Sequence, residues 1–326
     1  MATIFTYLIH GLLLVRNPFS SKKFACVRMF NTLFIYRVNQ ELVFFDYYQY
    51  LLDLLKAEVK RDRLLIVLLD TLRFKFFSYL VSTLSIGLQI EHTLIRKGTR
   101  GSEQAIAEGL PAHDDHGRYL VRIQNFEELM QYDRIIDYSQ INLKQIKSTS
   151  SLLLDGYLEK NYCISPTLFA IKQSNSFNLK QRTKTITTFG NPYESRRANF
   201  LNELFVRGIP VENITGNYLN IESCYRSTRI LVNIRQTKGH DTLEELRILP
   251  ALRCGVIVIS EAAPYAIYCR YSRFILWANI ENLPNLIQEV QNHYFKYHAR
   301  IFTPAFFTRM TRLERANQLA VKRLLQ

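Results

Sequence analysis

The densest concentration of chemically useful side chains lies between Ile230 and Glu261. The run Ile230-Leu231-Val232-Asn233-Ile234 opens into Arg235-Gln236, then His240-Asp241-Thr242-Leu243-Glu244-Glu245-Leu246-Arg247. A second apolar run, Val256-Ile257-Val258-Ile259, ends in Ser260-Glu261. This reads as strand, polar loop, helix, strand, with polar groups where two neighbouring strands end. A helix start beside them offers unpaired N–H groups and a positive dipole end, which suits phosphate. Thr242 and Glu245 have capping-box spacing, so they also read as an ordinary helix cap. Arg196, Arg197, Arg235 and Arg247 are the cations that could clamp a diphosphate in bidentate fashion. Either arginine of the 196–197 pair also reads as a solvated helix turn. Glu261 and Glu245 could hold ribose or sugar hydroxyls. Thr188, Asn191, Gln236, His240 and Ser260 complete the polar set. Histidine titrates near neutrality, so His92 is the first candidate for a general base, with Glu91 and His240 as rivals. A lone histidine is more often structural.

Other chemistries have no motif. No Asp-x-Asp is present, and Asp114-Asp115-His116 sits in a charged loop that reads as solvated. No essential metal or other cofactor is expected. There is no G-x-G-x-x-G after a strand and no P-loop. Cys26, Cys163, Cys224, Cys254 and Cys269 form no CxxC pair, so buried reduced thiols are expected rather than a zinc site or disulfide framework. That fits a reducing, cytoplasmic setting.

The chain must also fold a scaffold for these groups. Its 326 residues are 48% hydrophobic and 21% charged, enough for one large or two ordinary domains. The formal net charge is +14, which favours anionic partners. Nucleic acid is disfavoured: Tyr and Phe fall within apolar runs, and no nucleic-acid motif appears. Patterning predicts strands over 33–36, 64–69, 87–95, 119–123 and 134–138, with helices over 46–62, 74–84 and 125–130. Residues 96–118 read as loop, with Arg96, Lys97 and Arg100 among their charges. After a boundary in 161–174, strands are predicted over 184–189, 230–234, 256–259 and 274–277. Helices are predicted over 195–208, 242–253 and 283–294, with Leu201, Leu204 and Phe205 facing a core and Gly255 closing the second. Strands separated by helices imply an α/β fold of parallel sheets, with ligands at the strands' carboxyl ends. Residues 3–15 are apolar but too short for a comfortable membrane span, and no signal-cleavage site follows. A peripheral anchor, a buried helix, or an extension before a start at Met29 all fit. The last 34 residues carry seven Lys or Arg and one acid. They read as a terminal helix packed on the body, or as an attachment to an acidic membrane surface.

The block ending Cys254-Gly255-Val256-Ile257-Val258-Ile259-Ser260-Glu261, with Arg247 eight residues before Gly255, resembles the carboxyl-terminal domain of GT-B type glycosyltransferases. The likeness is to exostosin-like and to viral or bacterial sugar transferases. Thr187-Thr188-Phe189-Gly190-Asn191 followed by Glu194-Ser195-Arg196-Arg197 resembles the first strand and loop of that domain. Glu91-His92-Thr93-Leu94 with Lys97-Gly98-Thr99-Arg100 and Tyr119-Leu120-Val121-Arg122-Ile123 is similar to small chlorovirus-like and bacterial transferases. The resemblance covers roughly residues 85 to 295. It implies a GT-B-like pair of Rossmann-like domains with parallel sheets facing a cleft. Residues 1–162 would be the acceptor side, where Arg96, Lys97 and Arg100 would act. Residues 163–297 would bind the nucleotide-sugar, and 298–326 would form a basic terminal helix. It implies transfer of a sugar, from a UDP-sugar such as UDP-xylose, to a glycan or glycoprotein hydroxyl. Pro250 stands near the place of the second glutamate of retaining enzymes, so inversion without a metal is expected. The competing expectation is a nucleotide- or nucleic-acid-binding α/β protein without catalysis.

Overall fold

The computed structural model describes residues 24–37, 45–59, 64–91, 93–96, 110–111, 119–123, 125–149, 152–167, 178–189, 193, 195–214, 221–235 and 241–326. In chain order the first elements are β1 (Phe24–Met29), β2 (Thr32–Arg37), α1 (Phe45–Glu58), β3 (Leu65–Leu69) and β4 (Thr83–Gln89). They are followed by β5 (Leu94–Arg96), β6 (Leu110–Pro111), β7 (Tyr119–Val121), α2 (Phe126–Met130) and β8 (Arg134–Asp137). Then come α3 (Gln140–Lys147), α4 (Leu152–Lys160), β9 (Asn161–Cys163), β10 (Lys184–Thr187), α5 (Ser195–Val206), β11 (Glu212–Asn213) and α6 (Ile221–Ser227). The chain closes with β12 (Thr228–Asn233), α7 (Glu245–Arg253), β13 (Ile257–Glu261), β14 (Leu276–Ala278), α8 (Leu283–Asn292), α9 (Tyr294–Ile301) and α10 (Pro304–Leu324).

The fold is α/β. Six strands form one sheet in the order β1-β2-β3-β4-β8-β9, parallel except for the β1–β2 hairpin. Five form an all-parallel sheet in the order β11-β10-β12-β13-β14. A small antiparallel sheet, β5-β7-β6, is inserted in sequence between β4 and β8 of the first sheet. Central strands such as β3 (LIVLL) and β13 are buried throughout, because parallel strands covered on both faces need apolar residues at every position. In the six-stranded sheet Phe34, Leu65, Val67 and Ile86 pack with Leu51 and Leu55 of α1. Leu33, Ile35, Ile66 and Leu68 fill the other face with Phe74 and Val81. In the five-stranded sheet the chain passes from β10 outward to β11, then to β12 on the opposite side. Strand order therefore reverses between β10 and β12, the place where open α/β sheets leave a crevice.

Four details differ from the sequence reading. The strand expected over 87–95 is split between β4 and β5, which belong to two different sheets. Residues 74–84 do not form one helix: a 3-10 turn covers Lys75–Tyr79 and β4 begins at Thr83. The turn buries none of its own residues, whereas Leu84 to Ile86 continue a β pattern into the sheet. Phe205 does not face a core but is 82% exposed; Phe200 and Leu204 carry the buried side of α5. The helix foreseen from Thr242 starts at Glu245, and Glu244, not Thr242, occupies the capping position. A close Glu245 N–H to Leu243 carbonyl bond (2.9 Å) keeps the preceding turn out of helix. Gly255 ends α7 at φ 76°, with Val256 N–H bonded to the Ala251 carbonyl at 3.0 Å, the left-handed stop that glycine permits.

The last helix returns to the first sheet. Asn317 of α10 donates to the Tyr50 hydroxyl (3.0 Å), the Ser165 carbonyl (2.7 Å) and Thr167 Oγ1 (3.0 Å), and accepts from Ser165 N–H (2.9 Å). Arg253 of α7 pairs with Glu314 of the same helix. All five cysteines are free. Among the described residues no helix is long and apolar enough to cross a membrane. The apolar segment 3–15 lies outside the described residues.

Candidate functional site

β12 delivers Arg235 and β13 delivers Glu261 at their carboxyl ends, side by side, because Asn233 and Ser260 are in register. Arg196 arrives from the first turn of α5. Its guanidinium forks onto the Glu261 carboxylate at 2.8 and 2.5 Å and also donates to the Arg235 carbonyl at 2.7 Å. Arg235 binds the same carboxylate through its backbone N–H and its Nε, both at 3.0 Å. Its Nη1 donates to Asp241. Tyr119, on β7, donates its hydroxyl to the other Asp241 oxygen and stands edge-on to Tyr265 at 5.4 Å. Burial alone would raise the Glu261 pKa; the hydrogen bonds from Arg196 and Arg235 outweigh it and hold the carboxyl below its usual range. Two guanidinium and two carboxylate groups thus form one neutral, hydrogen-bonded network with a partly open flank.

That flank borders a pocket of about 790 Å³. Arg196, Arg235, Asp241 and Glu261 line it, with Asn279 and Glu281 beyond the end of β14 and Arg96 and Tyr119 from the small sheet. The volume lies within the range of small-molecule sites, and the lining joins charged groups to the apolar surface of Ala262, Ala263, Pro264 and Ile280.

Of the residues singled out in the sequence, Arg96, Arg196, Arg235 and Glu261 meet at this pocket. Seven others do not line it. Glu245 is buried and accepts from Ser139, which follows β8, and from Tyr271 at 2.8 Å. It ties the two large sheets together. Ser260 is fully buried and accepts from Asn233 at 3.0 Å. Thr188 and Thr242 are buried, and the buried Arg197 guanidinium lies 4.8 Å from the Phe189 ring centre. Arg247 sits on α7, where its carbonyl accepts from Tyr225 at 3.1 Å. Glu91 is exposed, and its carbonyl accepts from Gln89 and Asn142. His92, Lys97, Arg100, Asn191, Gln236 and His240 lie outside the described residues, as does Asp114-Asp115-His116. Among the described residues no group of three His, Cys, Asp or Glu is arranged to hold a metal ion.

Tyr119, Asp241, Asn279 and Glu281 were not singled out. Asp241 had a signal, an acid just before the predicted helix. Asn279 and Glu281 follow an apolar strand as Ser260 and Glu261 do. Tyr119 had none, since its partner is 122 positions away. No protein-family model matches the chain, and no curated protein matches it either.

Proposed function

We propose that this chain is a two-domain glycosyltransferase of GT-B type, moving a sugar from a nucleotide-sugar to a hydroxyl acceptor. The observation that carries the reading is the pocket itself. It lies at the carboxyl ends of β12, β13 and β14, with paired arginines on one wall and Arg96 and Tyr119 from the amino-terminal half on another. Sugar transfer needs positive charge where a diphosphate leaves, and groups that orient the donor. Arg196 and Arg235 supply the first: a phosphate that displaces Glu261 from either guanidinium keeps the same bidentate geometry. Glu261, so released, accepts from ribose or sugar hydroxyls, with Asp241 beside it. A UDP-sugar is the donor class and a glycan hydroxyl the acceptor. Glu91 and His92 follow β4 on the acceptor side and are the candidates for taking the acceptor proton, which gives inversion without a metal.

The test is thermal unfolding with a panel of UDP-, GDP- and TDP-sugars, followed by turnover assays with the nucleotide that stabilises most. Saturating donor is expected to raise stability by about 3 kcal/mol at a hundredfold excess over Kd. Arg196→Ala is expected to abolish most of that gain and to cut turnover ~100-fold. Arg196→Lys, which keeps the charge, separates loss of the fork from misfolding. No shift with any nucleotide overturns the reading. Stabilisation without turnover leaves a nucleotide-binding protein instead.

A further inference from the structure

A second surface lies at the other end of the six-stranded sheet. The carboxyl ends of its strands approach the second sheet, as the bond between Ser139 and Glu245 shows. Its amino ends face away. There the β1–β2 turn presents Phe30, and the neighbouring Asn31 carbonyl accepts from Leu65 N–H at 3.3 Å. The Ser82 carbonyl accepts from Ile66 N–H at 2.9 Å, so the segment after the 3-10 turn arrives at the same end. That turn is held down by Phe77, whose ring stacks on Phe74, while Phe76, Ser78 and Tyr79 are exposed. Tyr79 is 89% exposed, Phe76 55%, Leu80 52% and Phe30 43%. Four large apolar side chains within one end of one sheet are more than the isolated exposed residues of an ordinary surface.

Cations accompany them. Arg28 donates its Nε to the Phe30 carbonyl at 2.9 Å and is exposed. The last turn of α10 brings Lys322 and Arg323. Lys322 and Leu325 border a small hollow with Thr32, Leu65 and Glu58, which fixes this basic helix end beside the strands' amino ends. Lys75 is committed to Asp133 and the Gln131 carbonyl.

We infer that this end of the sheet docks on an anionic membrane surface, with Phe30, Phe76, Tyr79 and Leu80 entering the headgroup layer and Arg28, Lys322 and Arg323 meeting lipid phosphates. Aromatic side chains prefer that layer, and each nearby Lys or Arg adds attraction to acidic lipids. Charge complementarity favours lipid over a second copy of this +14 chain, which would bring like charges together. Leu80 and the spread of the rings do not form a base-stacking platform. The inference is independent of the proposed activity. Docking by the amino ends leaves the pocket, at carboxyl ends, uncovered.

The test is sedimentation of the full chain with vesicles of phosphatidylcholine plus phosphatidylserine, against phosphatidylcholine alone. Strong binding to the acidic vesicles only, weakened by salt, is expected. Phe76→Ser/Tyr79→Ser/Leu80→Ser should lower the bound partition about tenfold, and Arg28→Glu/Lys322→Glu about as much. All five side chains are at the surface, so melting temperatures should match that of the parent and rule out misfolding. Equal binding to neutral vesicles, no binding, or binding that neither variant weakens overturns the proposal. So does self-association, measured by sedimentation equilibrium, that the triple variant dissolves, since it assigns the surface to a second copy.

Discussion

Glu261 is the residue on which the candidate site depends. It is 3% exposed and receives hydrogen bonds from two guanidinium groups and one backbone N–H. Its depressed pKa has a definite sign in linkage. The carboxylate contributes stability that is fully present above the ordinary glutamate pKa and is lost as pH falls through the lower folded value. Glu261→Gln should therefore destabilise the protein at neutral pH by about 2 kcal/mol, because two partly buried guanidinium groups lose their counter-charge. It should also flatten the acid limb of stability against pH. Urea unfolding of both proteins from pH 7 to pH 3 measures this; parallel curves would mean that the carboxylate is not held as drawn. Glu245 shows the opposite lesson. An acid in a suggestive motif can be committed to Ser139 and Tyr271 and have no flank left for a ligand.

At the scale of elements, the decisive piece is α10. Its apolar stripe of Phe306, Met310, Leu313, Val321 and Leu324 packs inward, and Asn317 sits within that stripe as its buried polar member. Four hydrogen bonds satisfy that amide, and their three partner residues, Tyr50, Ser165 and Thr167, belong to α1 and to the segment after β9. Asn317→Ala strands these buried groups and should cost about 3 kcal/mol, read from urea midpoints. Asn317→Asp gives a comparable loss if the amide donors matter, whereas a neutral outcome for either would show that α10 is held by its apolar stripe alone. The strand β4 makes a second element-level point. A Cβ at Gly87 would stand 2.7 Å from Tyr132 Cδ2, so the sheet accepts the segment after α2 only because position 87 has no side chain. Gly87→Ala should cost about 2 kcal/mol.

For the whole molecule, polar contacts join the halves: Tyr119 with Asp241, Ser139 with Glu245, the Ile221 N–H with Asp46, and Lys144 over the Tyr268 ring. A helix from the end of the chain closes the circuit on α1 and β9. Unfolding is expected to be cooperative across both sheets. Trp277, the single tryptophan, lies on β14 and reports the second sheet, while far-UV circular dichroism reports both. Their urea transitions should coincide in the parent protein. Tyr119→Phe/Ser139→Ala removes the two buried side-chain cross-links, should lower stability by about 3 kcal/mol in sum, and should separate the two transitions. Coincident transitions in that variant would show that the halves are coupled without these two bonds.

The order of elements was legible in the sequence because parallel, fully covered strands demand apolar runs and the helices between them demand 3.6-residue spacing. That periodicity placed β3, β8, β12 and β13, the Gly255 stop, and the carboxyl-end positions of Arg235 and Glu261. It could not place the contacts between runs. Whether an arginine at a helix start serves a ligand, as Arg196 can, or lies buried against a ring, as Arg197 does, depends on which face of α5 meets the sheet. Whether an acid lines a pocket or crosses between sheets depends on partners more than 100 positions away, as for Glu245. Local physics determined the strands and their polar ends. Only the packing of one sheet against the other decided which of those polar ends share a pocket, since proximity in space across such separations is a property of the tertiary fold.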